Sequence, residues 1–169
     1  SSDVCSSDLT GEFRPERMLE VMKNFNIESS LMDNVIVNRI TNSSEQIKAL
    51  SKIPGSRFDL IVIDNITDLF SFEYSKDELT LEKNISFMKY MHKLSKITIQ
   101  NNIPTVITNM IRNIDQKETE NLEKSINIFT HTKIKLSKKG TKFNGKAYSP
   151  YSETVFDFVI SSAGLKNSS

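Results

Sequence analysis

A single cysteine, Cys5, is present in the 169 residues, so neither an internal disulfide nor a cysteine-built zinc site can form. No apolar run approaches the roughly 20 residues that a membrane-spanning helix needs. The first residues are polar and lack the basic-then-apolar pattern of a secretory leader. An excess of one charge is missing too: 22 Lys and Arg stand against 21 Asp and Glu, so bulk charge selects no partner. The chain also has no Gly-x-x-x-x-Gly-Lys-Ser/Thr loop of the kind that wraps phosphates. These absences predict an intracellular, cytoplasmic chain. With 37% hydrophobic and 25% charged residues, it has the composition of one domain with a real core.

The most informative stretch is Arg57-Phe58-Asp59-Leu60-Ile61-Val62-Ile63-Asp64-Asn65. Four apolar residues run unbroken into an aspartate. Such a run predicts a strand buried on both faces, as in a parallel sheet. The aspartate then falls at the carboxyl edge, where open α/β folds bind ligands. A nucleotide-binding ATPase presents the acid that holds Mg²⁺ in this way.

The pattern along the chain predicts helix and strand in alternation. Arg14 to Asn26 reads as a helix, with Pro15 in the first turn and Met18, Val21, Met22 and Phe25 on one face. Asn34 to Ile40 reads as a strand. Ser43 or Ser44 is expected to cap a helix running through Ile53, and Pro54-Gly55 to end it. Phe58 to Asp64 is the central strand, and 67–77 reads as a loop carrying Phe70, Phe72 and Tyr74. The longest helical pattern runs from Asp77 to Asn101, with Leu81, Ile85, Met88, Met91, Leu94 and Ile97 inward. Ile103 to Thr108 reads as a strand ending at Asn109, and Arg112 to Lys124 as a polar, mobile loop. Alternating residues from Ile126 to Ser137 predict strands, Lys139-Gly140 and Asn144-Gly145 turns, and Val155 to Ile160 a last strand. The order implies a parallel sheet with right-handed crossovers and an antiparallel extension.

Four segments carry a resemblance to the RecA/RadA recombinase superfamily, in its archaeal RadA/RadB and eukaryotic strand-exchange branch. They are Gly11-Glu12-Phe13-Arg14-Pro15-Glu16-Arg17-Met18, Leu60 to Asp64, Pro104-Thr105-Val106-Ile107-Thr108-Asn109, and Thr132 to Leu136 with Tyr148-Ser149-Pro150. The resemblance implies an α/β fold, a RecA-like P-loop ATPase core with a parallel central sheet and a C-terminal antiparallel extension, lacking its N-terminal phosphate-loop portion. It spans 10–166, the C-terminal two-thirds of such a domain, with 167–169 as a tail. Residues 1–9 resemble the conceptual translation of a sequencing-adapter oligonucleotide and are expected to lie outside the native fold. A flexible serine-rich terminus is the other reading. Under the adapter reading the chain has lost its natural beginning.

Several positions depart from the family pattern. Thr10 stands where the family has its catalytic glutamate, Met110 where a glutamine senses the γ-phosphate, and Tyr148 where an aspartate precedes Ser149-Pro150. These departures point toward a divergent paralogue, and no catalytic residue is assigned.

The resemblance implies ATP and Mg²⁺ as cofactors. Asp64 would hold Mg²⁺ through water, or it simply caps the next turn. Asn109 would contact nucleotide or couple it to the loop beyond, or it is a strand-end turn residue. Ser149 and Pro150 would cap ATP held by a neighbouring subunit. By resemblance 112–124 is the second DNA-binding loop, with Arg112, Lys117 and Lys124 as its bases; Asp115, Glu118, Glu120 and Glu123 outnumber them. Lys133, Lys135, Lys138, Lys139, Lys142 and Lys146 form a basic cluster that tracks a phosphate backbone or guards a sheet edge. Arg14, Glu16 and Arg17 are read as first-turn charges rather than a phosphate or interface contact. His92 and His131 are read as structural, and Phe70, Phe72 and Tyr74 as packing rather than base-stacking residues.

The expected function is that of a DNA repair and homologous recombination protein, an ATP-dependent recombinase or paralogue that binds single-stranded DNA. The alternative is a non-hydrolysing module that assists a recombinase. Expected partners are single-stranded DNA and either self-association as a filament or ring or a recombinase, with no membrane. The complete protein would be a DNA-dependent ATPase; this chain, without the loop, is expected to be inactive.

Overall fold

The computed structural model describes residues 3–8, 13–54, 58–114, 117–140, 142–149, 152–161 and 164–167. Two compact units divide the chain, one comprising 1–13 and 31–129, the other 14–30 and 130–169.

The first unit is built on a parallel four-stranded sheet. Its strands are β1 (Asp3–Asp8), β2 (Val35–Arg39), β3 (Phe58–Asp64) and β4 (Thr105–Ile107), in the order β2-β1-β3-β4. β3 falls where its apolar run predicts. Residues 3–8 form β1, which lies between β2 and β3 and pairs with both. Burial of β3 is one-sided. Ile61 and Ile63 are 2% exposed, while Leu60 and Val62 are half-buried.

The helices of this unit follow from local signals with some corrections. In α2 (Ser43–Ala49) the cap is Asn42, not Ser43 or Ser44: its side chain accepts from the Glu45 amide at 2.8 Å. Glu45 returns a carboxylate to the Thr41 amide, a bond that holds its carboxyl below the usual range. A 3₁₀ turn, Leu50–Lys52, continues α2. The segment 67–77, expected to be a loop, contains α3 (Asp68–Glu73), because Phe70 at 0% exposure anchors it in the core. Tyr74 is half-buried, whereas Phe72, read as a packing residue, is 82% exposed.

The long helix α4 (Thr80–Asn101) starts after a 3₁₀ turn and stops at Asn102, in the left-handed conformation. Phe87, Tyr90, Met91, Leu94 and Ile97 are its buried residues. Leu81 and Ile85, expected inward, are exposed. Phe70, Phe87 and Tyr90 form an aromatic cluster, the first two edge to face at 5.2 Å. Ile61, Ile63, Leu94, Ile103 and Ile126 complete the core around it.

The expected mobile loop at 112–124 is instead an antiparallel hairpin, β5 (Ile111–Ile114) and β6 (Lys117–Glu120). It is followed by α5 (Glu123–Phe129) in place of the strand expected from Ile126. Ser125 and Ile126 alone are buried there, one helical turn's worth, which a two-residue alternation imitates over so short a stretch.

The second unit joins α1 (Pro15–Asn24) to an antiparallel sheet of β7 (Lys133–Lys139), β8 (Lys142–Ser149), β9 (Ser152–Ser161) and β10 (Gly164–Asn167), in the order β10-β9-β8-β7. Pro15 opens α1 as expected. The side-chain space of Gly164 faces Val21 and Phe25 of α1. Asn144-Gly145 is no turn but the middle of β8, where Gly145 leaves room for the Phe156 ring of β9. Phe143, Phe156 and Phe158 stack beside it, with centroids 5.5 and 6.0 Å apart. Arg17 pairs with Glu20 at 3.0 Å and donates to the Ser161 carbonyl, which agrees with the structural reading of that residue.

Candidate nucleotide-site edge and hairpin

The carboxyl ends of β3 and β4 lie side by side, because Ile61, Val62 and Ile63 pair with Thr105, Val106 and Ile107. The pairing continues past β4. The Thr108 amide donates to the Ile63 carbonyl at 3.0 Å, and the Ile66 amide donates to the Thr108 carbonyl at 3.0 Å. Between them Asn65 turns the chain with φ of 57°. This turn leaves the Asp64 carboxylate exposed at the edge.

One side chain orients that carboxylate. The Thr108 hydroxyl donates to Asp64 Oδ1 at 2.5 Å and accepts from the Asn65 amide at 2.8 Å. Sequence reasoning passed over Thr108, although its place between a buried strand and Asn109 was a usable signal.

Asn109 is also at this edge, but its side-chain amide is engaged within the protein. Its Oδ1 accepts from the Thr67 hydroxyl at 2.7 Å. Its Nδ2 donates to Glu120 Oε1 at 3.1 Å and to the Asn121 carbonyl at 2.8 Å. Asn121 in turn donates from Nδ2 to Thr67 Oγ1 at 2.9 Å and to Ser71 Oγ at 2.6 Å. Thr67, Ser71 and Asn121 were not anticipated; the bonds that join Thr67 to Asn109 and Asn121, and Ser71 to Asn121, span 42 to 54 positions, so no local pattern announces them.

The hairpin sorts its charges. Register pairs Arg112 with Thr119 and Asn113 with Glu118. Alternation therefore puts Arg112 and Lys117 on one face and Glu118 and Glu120 on the other. Acids outnumber bases by count, yet one face is basic. Lys124 lies exposed on α5.

Of the remaining expected residues, Ser149 ends β8 in the second unit; its side chain and Pro150 lie outside the described residues, as do Thr10, Gly11, Glu12 and Asp115. In the lysine cluster, Lys133, Lys135, Lys142 and Lys146 fall on one face of β7 and β8 by register. Lys146 bonds Glu153 at 2.7 Å, which raises its pKa, and sits 5.0 Å over the Tyr148 ring.

A profile of the Rad51 family matches residues 2–166. The chain belongs to the Rad51 family. Its mixed parallel and antiparallel α/β architecture is accordingly that of a RecA-like core. Among curated relatives, it is 30% identical over 110 residues to the DNA repair and recombination protein RadA of Methanococcus voltae, covering 62% of this chain and 34% of that protein. It is 28% identical over 109 residues to the DNA repair protein RAD51 homolog A of Zea mays, covering 62% and 32%. RadA of Ignicoccus hospitalis is 29% identical over 109 residues, with 62% and 33% covered. The matched stretch thus spans about a third of each of these relatives.

The residues at the Rad51-family edge fit a magnesium ion in part. Asp64 offers oxygen, the ligand Mg²⁺ prefers, and Mg²⁺ keeps several waters and takes few protein ligands. No cluster of three or more His, Cys, Asp or Glu exists among the described residues, so a directly caged ion does not fit. No described helix is long and apolar enough to cross a membrane.

Proposed function

We propose that this chain belongs to a DNA repair and recombination protein of the RadA/RadB type, which in complete form binds ATP with Mg²⁺ between subunits and binds single-stranded DNA. The observation that carries this is the exposed Asp64 carboxylate at the carboxyl edge of a parallel sheet, oriented by Thr108, in a Rad51-family chain. Bound Mg²⁺ would supply positive charge against the phosphates. Asp64 would hold its water ligands, and Thr108 would keep the carboxylate aimed at the edge. Nucleotide shared between subunits implies a head-to-tail filament or ring. The basic face of Arg112 and Lys117, with Lys124, is the surface proposed for single-stranded DNA.

A second reading has its own support. Met110 cannot hydrogen-bond a phosphate, and the Asn109 amide is spent on Thr67, Glu120 and Asn121. Both favour a paralogue that binds nucleotide without hydrolysing it and assists a recombinase. DNA-stimulated ATPase of the complete protein, with and without Asp64→Ala, separates the two. Turnover lost on substitution supports the recombinase; nucleotide binding without turnover in either protein supports the paralogue. Turnover that survives Asp64→Ala refutes the assignment of that residue.

A further inference from the structure

The hydrogen bonds around Thr67 close a ring. Asn121 Nδ2 donates to the Thr67 hydroxyl, that hydroxyl donates to Asn109 Oδ1, and Asn109 Nδ2 donates back to the Asn121 carbonyl. Each donor in the ring has one acceptor in the next member, the arrangement in which bonds polarise one another. Thr67 is 0% exposed, so water does not compete at the hub.

Asn109 and Asn121 flank the β5–β6 hairpin, and the Asn121 amide also reaches the Met110 carbonyl at 3.4 Å. The ring thereby ties both roots of the hairpin to the head of α3, and Ser71 adds a second tie one turn further on. Thr67 follows Asp64 by three positions, and Asn109 follows Thr108, the residue bonded to Asp64. Leu122, at φ of 52°, turns the chain from the hairpin into α5 immediately after the ring.

We propose that Asn121 is a positioning residue: with Thr67 and Asn109 it clamps the β5–β6 hairpin onto α3, so that the hairpin is held in place before any ligand arrives. The consequence for nucleic acid rests on the function proposed above; the clamp itself does not.

Amide hydrogen exchange on the full 169-residue chain tests it, with unfolding followed by circular dichroism as the control. Asn121→Ala removes both side-chain donors. Opening of the hairpin becomes local, and the amides of 111–114 and 117–120 exchange about tenfold faster while those of β3 and α4 keep their rates. Ser71→Ala, which removes one acceptor at a half-buried site, gives a smaller acceleration in the same amides and serves if Asn121→Ala does not fold. Unchanged hairpin rates in the folded variants overturn the proposal, as does acceleration spread evenly over β3 and α4. A second arm uses a fluorescein-labelled oligo-dT. Weaker binding by Asn121→Ala than by the parent supports the positioning role; equal, measurable binding by both overturns its consequence for nucleic acid. If the parent binds no oligo-dT while the exchange contrast persists, the clamp stands and the nucleic-acid reading falls.

Discussion

Phe70 and Phe72 sit two residues apart on one short helix, and their burial differs as far as it can, at 0% and 82% exposed. Phe70→Ala empties the centre of the aromatic cluster and is expected to cost about 3–5 kcal/mol in denaturant unfolding, while Phe72→Ala stays within about 0.5 kcal/mol. Similar costs for the two would contradict the assignment of Phe70 to the core. Tyr90, 2% exposed, makes a pH-dependent contribution. Burial pushes its hydroxyl up to about 12 from 10.0, against a smaller opposing effect of its bond with Gln46. The folded state then holds a proton that the unfolded state releases. Stability is full below pH 10 and falls as pH rises toward 12, by roughly 2 kcal/mol. Tyr90→Phe should show a shallower loss across that window in urea titrations at pH 9 to 12; parallel losses would exclude Tyr90 as the source.

At the scale of elements, the β5–β6 hairpin makes the sharpest prediction, because its register separates charges that its composition mixes. Arg112→Glu with Lys117→Glu should weaken oligo-dT binding and flatten its salt dependence by about two phosphate contacts. Glu118→Gln on the opposite face should change neither; an equal effect from both faces would contradict the sorting. The hairpin also shows where the sequence was hard to read. Its charge density resembles a loop's, and its pairing partner is its own next strand, so no apolar alternation announces it. α5 was concealed for the opposite reason: Ile126, Ile128 and Thr130 alternate, yet the backbone coils to bury Ser125 and Ile126 together. The bounds of β3 were legible because an unbroken apolar run ending in an acid has few alternatives, but its one-sided burial was not, since the run predicts two buried faces. Gly145 misled because Asn-Gly usually marks a turn, whereas here the missing side chain makes room for Phe156. Gly145→Ala must push that ring aside, at an expected cost of about 1–3 kcal/mol in thermal unfolding.

At the scale of the molecule, the fold class and family were accessible from four short segments, and Asp64 lies at the predicted edge. The surroundings of Asp64 were not accessible, because Thr108, Thr67 and Asn121 act through contacts between residues 42 to 54 positions apart in sequence. No Gly-x-x-x-x-Gly-Lys-Ser/Thr loop occurs in the chain, so the 169 residues alone should show no ATP turnover above background in a phosphate-release assay; measurable turnover would refute this. The proposed role of Asp64, holding Mg²⁺ at a Rad51-family nucleotide site, does not depend on whether hydrolysis follows. Its most direct test is equilibrium binding of a fluorescent ATP analogue to the complete protein in Mg²⁺ and in EDTA, with Asp64 and with Asp64→Ala. Mg²⁺ should tighten binding at least about tenfold with Asp64 in place and have little effect in the variant. Equal Mg²⁺ dependence in both proteins would contradict it.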